Sequence, residues 1–370
     1  GGGRCNVTHH AVDERAFAGS SPPAIRKVLR RFVVPETRAF FEDLGVELKR
    51  EATGKLFPVT DKARTVLDAL IGAARSAGVE LIHPWRVQSI EQRGGVFALR
   101  GPEGELHAER VVLATGGKSL PKSGSDGHGY ALARVLGHSV TPRVLQSLVP
   151  LLLPEGHDLC ALKGIATPVR LEVRARSGKR LVTFEGPLLC THFGVSGPVV
   201  LDISRYWLDA HADDPYTGLF VDWLPEFDGK ELDRELQDLR GMNPVEYLMA
   251  FLPTRLAATL VTLADIDADA ARVTLTRDQR RALVRVCKDM RLPVTGPRGW
   301  TWAEVTAGGV PLKEVDLATM ASRVCSGLYL CGEILDVDGR IGGFNFQWAL
   351  SLIHISEPTR LLVQSRMPSS

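Results

Sequence analysis

The residues whose types and spacing point most directly to chemistry lie in 327–349, GLYLCGEILDVDGRIGGFNFQWA. An apolar run at 328–331 stops at Gly332-Glu333, a glycine-rich loop covers 339–343, and a helix is expected to start at Asn345. A carboxylate at a strand end accepts hydrogen bonds from hydroxyl groups. A helix start behind a glycine turn presents unbonded N–H groups and the positive end of its dipole to an electron-rich ring edge or an anion. The alternative is a buried strand followed by a plain turn.

Other chemically capable residues are weaker. Asp336 and Asp338 resemble a metal pair, but no His or third carboxylate accompanies them, so Asx-turn roles are expected and no metal. His192 and Ser196, in THFGVSGP, would need a base and an orienting acid to form a nucleophile. His192 is kept as a weak catalytic candidate beside a structural reading. Cys5 has no basic neighbour of defined geometry and reads as an inert thiol.

These residues need elements to position them. Helical periodicity is expected over 23–45 and 63–77, a hairpin over 46–58, and a buried strand at 79–82. Strands at 87–90, 96–100 and 105–108 form a meander, and the buried strand 111–114 runs into Thr115-Gly116-Gly117. Short alternating strands fill 148–203, and 230–292 is helix-rich with Leu232, Leu236 and Leu239 on one face. The expected organisation is one α/β domain, 1–147 and 325–349, interrupted by a β domain at 148–228 and 294–324 and a helical subdomain at 229–293.

Hydrophobic content of 44% and charged content of 24% are those of a globular protein. A net charge of +2 with scattered Lys and Arg argues against nucleic-acid binding. No apolar run is long enough to span a bilayer. The six dispersed cysteines lack a C-x-x-C pair, which reads as reduced thiols in a cytoplasm. The first residue is not Met, and residues 350–360, LSLIHISEPTR, read as the translation of a transposase adapter used in preparing sequencing libraries. Residues 366–370 match the far end of that adapter, so 350–370 is expected to have no stable packing against the body, either extended or as an arbitrary continuation of the helix begun near Asn345, and the rest to be a fragment cut at both ends, of metagenomic origin.

Six motifs occur in order: GGGRCNVT at 1–8, FPVTDKARTVLDAL at 57–70, VVLATGGKSLPKSGSDGHGYALARVLGH at 111–138, THFGVSGPVVL at 191–201, VTAGGVPLKEV at 305–315, and CGEILDVDGRIGGFNFQWA at 331–349. Together they resemble the BaiN/YhiN-like family of NAD(P)/FAD-dependent oxidoreductases, some labelled aminoacetone oxidase family. The resemblance implies a glutathione-reductase-type FAD-binding domain, incomplete because the first βαβ unit is missing, with an inserted β-barrel-like domain and a helical subdomain. It implies FAD as cofactor, NADH or NADPH as possible electron donor, and a small-molecule substrate, with no nucleic-acid or membrane partner and the oligomeric state left open.

By the same resemblance Gly2 and Gly3 let the backbone approach the flavin, and Arg4 and Asn6 donate to flavin or phosphate oxygens. Val87 reads the adenine edge through its main chain, and Thr115, Gly116 and Gly117 mark a strand end passing the cofactor. Glu333 takes the ribityl hydroxyls, and Gly342, Gly343, Phe344 and Asn345 line the pyrimidine edge through backbone N–H groups. The G-x-G-x-x-G turn that holds the pyrophosphate in such proteins is not in this sequence, so weak FAD binding and an inactive chain are expected. The implied function is FAD-dependent hydride transfer through flavin N5. The rival is a non-catalytic flavin-binding sensor or docking module.

Overall fold

The structure is a computed structural model that describes residues 3–239, 241–268 and 274–355. The chain divides into two compact units, Gly1–Val144 with Glu304–Ser370, and Leu145–Ala303. Among the described residues no helix is long and apolar enough to cross a membrane.

The first unit is a mixed α/β body. Its central feature is a parallel pair, Val111–Leu113 beside Leu328–Leu330, in register Leu328↔Val111 and Leu330↔Leu113. Two strands about 215 residues apart thus lie side by side and point the same way, which carries Thr115 and Glu333 past the same, C-terminal edge. The antiparallel meander Ser89–Arg93, Val96–Gly101 and Gly104–Ala108 follows expectation, as does the hairpin Leu48–Arg50 with Lys55–Pro58. The helix Ala63–Ser76 is followed by Gly78 at φ +77°, a backbone shape that favours glycine. The core joins Leu113, Leu328, Leu330, Ile334 and Val337 to Ile25, Val28, Tyr130 and Trp348.

Several expectations differ from what the structure shows. Residues 79–82 are not a buried strand: they form no regular element, and Val79, Leu81 and Ile82 are each about half exposed. Val112 is likewise 52% exposed, because Val111–Leu113 is paired on one side only among the described residues. An apolar run becomes a buried strand only when neighbours supply hydrogen bonds and cover its faces. Second, the insertion ends at Ala303 rather than at 324. Val310, Leu312, Val315 and Met320 enter the first unit's core, so 304–324 belongs there.

Of the segment set apart at 350–370, the described residues continue the helix, as expected, but pack against the first unit, where no packing is expected. The helix Phe344–Ile355 runs into this segment, and Leu350, Ser351 and Leu352 are buried. Ser351 Oγ lies 3.1 Å from the Phe32 carbonyl, and the His354 ring stacks on Phe32 with centroids 3.7 Å apart. Extending an existing helix costs little, and helical spacing from Gln347 and Trp348 delivers Ser351 and Leu352 to the same buried face. Residues 356–370 lie outside the described residues.

Gln347 ties this helix to the unit. Its Oε1 accepts from Thr8 Oγ1 at 2.7 Å and Thr37 Oγ1 at 2.9 Å, while Nε2 donates to the Phe32 carbonyl at 2.9 Å. Gln347→Leu leaves these buried polar groups short of partners, at a cost of about 2–4 kcal/mol. The measurement is the urea midpoint of the variant; an unchanged midpoint would show the network to be dispensable.

The second unit is built on a seven-stranded antiparallel sheet in the spatial order Met290–Leu292, Gly218–Asp222, Ala166–Arg174, Arg180–Thr191, Gly194–Ser196, Leu151–Leu152 and Gly296–Pro297. Alternation along Ala166–Arg174 buries Val169, Leu171 and Val173 beneath the helix Pro198–Asp213, whose Val199, Ile203 and Trp207 share that core. The helices Gly229–Gln237, Pro244–Leu248, Thr254–Leu263 and Arg277–Lys288 contribute Leu232, Leu248, Leu256 and Leu283 to the same core. Helices and sheet therefore form one compact unit, where the sequence reading separates a helical subdomain at 229–293. Asn243 with Glu246, and Thr276 with Gln279, close reciprocal caps at two of the helix starts.

Candidate functional site

The site is assembled within the first unit, where the parallel strands end. Beyond Leu330 the chain makes a single turn, Gly332–Ile334, which carries Glu333. Beyond Leu113 it runs through Thr115-Gly116-Gly117. The short strand Val305–Ala307 brings Thr306, whose N–H donates to Glu333 Oε1 at 3.0 Å. Thr306 Oγ1 accepts from the N–H groups of Lys118 at 2.7 Å and Ser119 at 3.1 Å. A Cβ on Gly117 would sit 2.4 Å from Thr306 Oγ1 and 2.5 Å from Glu333 Oε1. A side chain there would have to displace Thr306 and Glu333, which explains the second glycine of the pair in mechanical terms.

Burial pushes the Glu333 carboxyl up to about 7, above its ordinary 4.5, with the Thr306 hydrogen bond opposing and the charge of Asp338 adding to the rise. An acid so placed is divided between neutral and charged forms near neutral pH. Asp338 is buried inside the strand Val337–Gly339, paired antiparallel with Phe17–Gly19, so it does not take the Asx-turn place expected of it.

The glycine loop is held from both sides. Asn345 closes it with two hydrogen bonds to Gly339, Oδ1 accepting from the N–H at 2.8 Å and Nδ2 donating to the carbonyl at 2.9 Å. Its side chain is therefore committed within the loop. The Phe344 ring stacks on His9 with centroids 5.0 Å apart and meets Phe17 edge-on at 6.0 Å. A Cβ on Gly343 would meet the Thr8 backbone at 2.7 Å. Gly342 and Gly343 have φ of +135° and +90°. The helix that follows packs against the turn bearing Glu333. Its first N–H groups have no partner within the helix by geometry, leaving them to a ligand or water.

The N-terminal loop arrives beside this helix, but its residues divide. Arg4 is held by Asp61, through Nε at 2.9 Å, and by Glu51, with its guanidinium 4.1 Å above the Phe57 ring. Two carboxylates compete with any phosphate for that group. Asn6 Oδ1 is buried with no hydrogen-bond partner among the described residues, an acceptor available to a donor on a ligand, where the sequence reading has Asn6 donating. Gly3 is exposed at φ +78°, with nothing within 4 Å of an added Cβ, so no described neighbour requires the glycine. Gly2 lies outside the described residues. Burial raises the Cys5 thiol, which disfavours a reactive thiolate.

Thr115 is exposed, and its Oγ1 would be 1.8 Å from a Cβ on Gly129, so strand end and helix His128–Val135 approach through that glycine. Gly116 has φ +70° and faces Ser125. Val87 is half-buried against the core in the irregular stretch before Ser89–Arg93. His192 is in the second unit, exposed, its ring meeting Phe193 at 5.0 Å. Among the described residues no acid or base accompanies it in a nucleophilic arrangement, and no group of three metal-type side chains occurs.

Sequence reasoning missed Thr306, Ser119 and Gly129. A signal existed for the first: VTAGG at 305–309 is a strand running into a double glycine, the same pattern as ATGG at 114–117.

A family model described as the HI0933-like protein Rossmann domain matches residues 1–356. A 3-dehydro-bile acid delta(4,6)-reductase of Clostridium scindens is 34% identical over 354 residues, 94% of this chain and 85% of that protein. A ribosomal RNA dihydrouridine synthase of Escherichia coli is 34% identical over 357 residues, 95% of this chain and 85% of that protein. Its namesake in Haemophilus influenzae is 31% identical over 359 residues, 95% and 86% of the two chains.

Proposed function

From the premise that the chain belongs to the HI0933-like Rossmann family of FAD-dependent oxidoreductases, we propose that its first unit holds the flavin end of FAD, in a glutathione-reductase-type domain interrupted by the second unit. The observation that carries the reading is the meeting of Gly117, Thr306 and Glu333 beyond the C-terminal ends of two parallel strands, with the glycine-preceded helix beside them. Cofactors of open α/β sheets bind outside those strand ends. The groups suit a flavin: a buried acid for hydroxyl donors, an unpartnered buried acceptor on Asn6, and a helix start for the electron-rich ring edge.

Bound there, FAD supplies two-electron chemistry by hydride transfer at N5. The chain's own residues position and polarise. Glu333, fixed by the Thr306 N–H, accepts from the ribityl hydroxyls. The N–H groups at Gly342, Gly343, Phe344 and Asn345 face negative charge at the pyrimidine edge. Thr115, Gly116 and Gly117 carry the strand end past the cofactor, and the bare Gly117 leaves Thr306 and Glu333 room to meet. Arg4, tied to Asp61 and Glu51, anchors the N-terminal loop and leaves phosphate contacts to other groups. NADH or NADPH is the proposed donor and a small organic molecule the proposed acceptor, in line with the bile-acid reductase among the relatives. A second substrate reading is a base in RNA, favoured by the two relatives named ribosomal RNA dihydrouridine synthase.

The test is flavin titration. Adding FAD to the purified chain is expected to quench flavin fluorescence with the weak affinity expected above, and Gly117→Val is expected to weaken binding further, by about tenfold or more, since its side chain displaces both Thr306 and Glu333. Equal affinity in the two proteins would place the flavin elsewhere.

A further inference from the structure

A second cluster of charge lies wholly in the second unit. The helices Gly229–Gln237 and Arg277–Lys288 pack together and border a cleft of about 660 Å³. Lys230 and Arg234 stand one turn apart on one wall, Arg281 and Arg285 one turn apart on the other. All four are exposed, and none has an ion-pair partner among the described residues. The cleft's own acids are committed elsewhere. Asp228 caps the first helix by accepting from the Lys230 N–H, Asp233 pairs with Arg280, and Asp289 pairs with Arg174. The fifth cation, Lys288, is held by Asp222 and by the carbonyls of Leu224 and Phe227. Glu231 and Glu235 do not line the cleft. The first helix also directs its positive dipole end here, through Gly229 and Lys230.

We propose that this cleft binds the phosphate backbone of RNA. Four exposed cations in two rows do not enclose a single phosphate, because each contact is weakened by water and salt. They become effective against a ligand that repeats its charge and releases several counter-ions at once. Guanidinium groups suit phosphate oxygens through paired hydrogen bonds. The helix Arg277–Lys288 buries Leu283 and Cys287 on its opposite face, so the basic row is displayed by a firmly packed element. The choice of RNA over other polyanions rests on the RNA reading of the substrate; the site itself rests on the charge geometry.

The experiment uses a fluorescein-labelled RNA hairpin, read by anisotropy with the whole chain across a salt series. The double variant R281E/R285E is expected to bind about tenfold or more weakly, with the slope of log K against log salt reduced by about 2. R281Q/R285Q is expected to fall between it and the parent. K27E/R30E, the same charge change on a surface of the first unit, is expected to stay within about threefold. Urea midpoints show that each variant is folded. RNA binding that R281E/R285E leaves intact would overturn the cleft while sparing the RNA reading; no binding by the parent chain would overturn both. Tripolyphosphate competing as well as RNA at equal phosphate concentration would replace the proposal with a small-anion site. None of these outcomes bears on the flavin titration.

Discussion

Replacing Glu333 with Gln is expected to stabilise the flavin-free chain at pH 8 by on the order of 2–3 kcal/mol and to change little at pH 4. The folded carboxyl holds its proton up to about 7, whereas an ordinary glutamate releases it at 4.5. Between those values the native state binds more protons than the unfolded state, so stability falls as pH rises through that window and levels off above it. Below 4.5 the acid is neutral in both states and contributes no difference. Gln removes the buried charge yet keeps an oxygen for the Thr306 N–H, so only the pH-dependent part is lost. Urea midpoints at pH 4 and pH 8 decide the matter. A difference between variant and parent that is equal at both would mean that Glu333 does not titrate in that range. The same substitution is expected to weaken flavin binding, because Gln accepts fewer and weaker hydrogen bonds than a carboxylate.

Gly343→Ala is expected to cost about 2–5 kcal/mol and to abolish flavin binding. Two effects add. The residue has φ +90°, which an L side chain rarely adopts, and the new methyl would lie 2.7 Å from the Thr8 backbone. Backbone cannot rotate away as a side chain can, so either the strand Thr8–His9 or the start of the helix Phe344–Ile355 must shift. A shift of the strand pulls Thr8 from Gln347; a shift of the helix re-aims the N–H groups proposed for the flavin. Gly45→Ala is the comparison, since at φ +75° it carries the backbone strain but has nothing within 4 Å of an added Cβ. Equal losses in the two variants would show that strain alone matters and that the contact with Thr8 does not.

Most element positions in the first unit were legible because their signals are local. The two-residue alternation of the meander, the extent of the helix Ala63–Ser76 and its stop at Gly78 depend on neighbours a few residues away, although of that helix's apolar face only Val66 is buried and Leu67 and Leu70 are exposed. The strand at 79–82 failed for the same reason: apolar character is local, but burial depends on what lies alongside. The insertion boundary failed at 304–324 because Val310, Leu312 and Met320 read equally well as core of either unit.

The sequence by itself determined the candidate acid, the glycine turns and the order of the strands. Each is a property of residue type within a short window, and glycine at positive φ leaves a mark that no fold erases. Tertiary structure alone decided which groups meet. It set the Thr306 N–H on Glu333 across 27 residues, the Thr8 backbone under Gly343, and Asp61 and Glu51 on Arg4. It also drew Lys230, Arg234, Arg281 and Arg285 into one cleft, although along the chain the basic residues look scattered and the net charge is only +2. Net charge is a sum that ignores position, whereas a field at a surface depends on distance, and distance between remote residues exists only once the chain has packed.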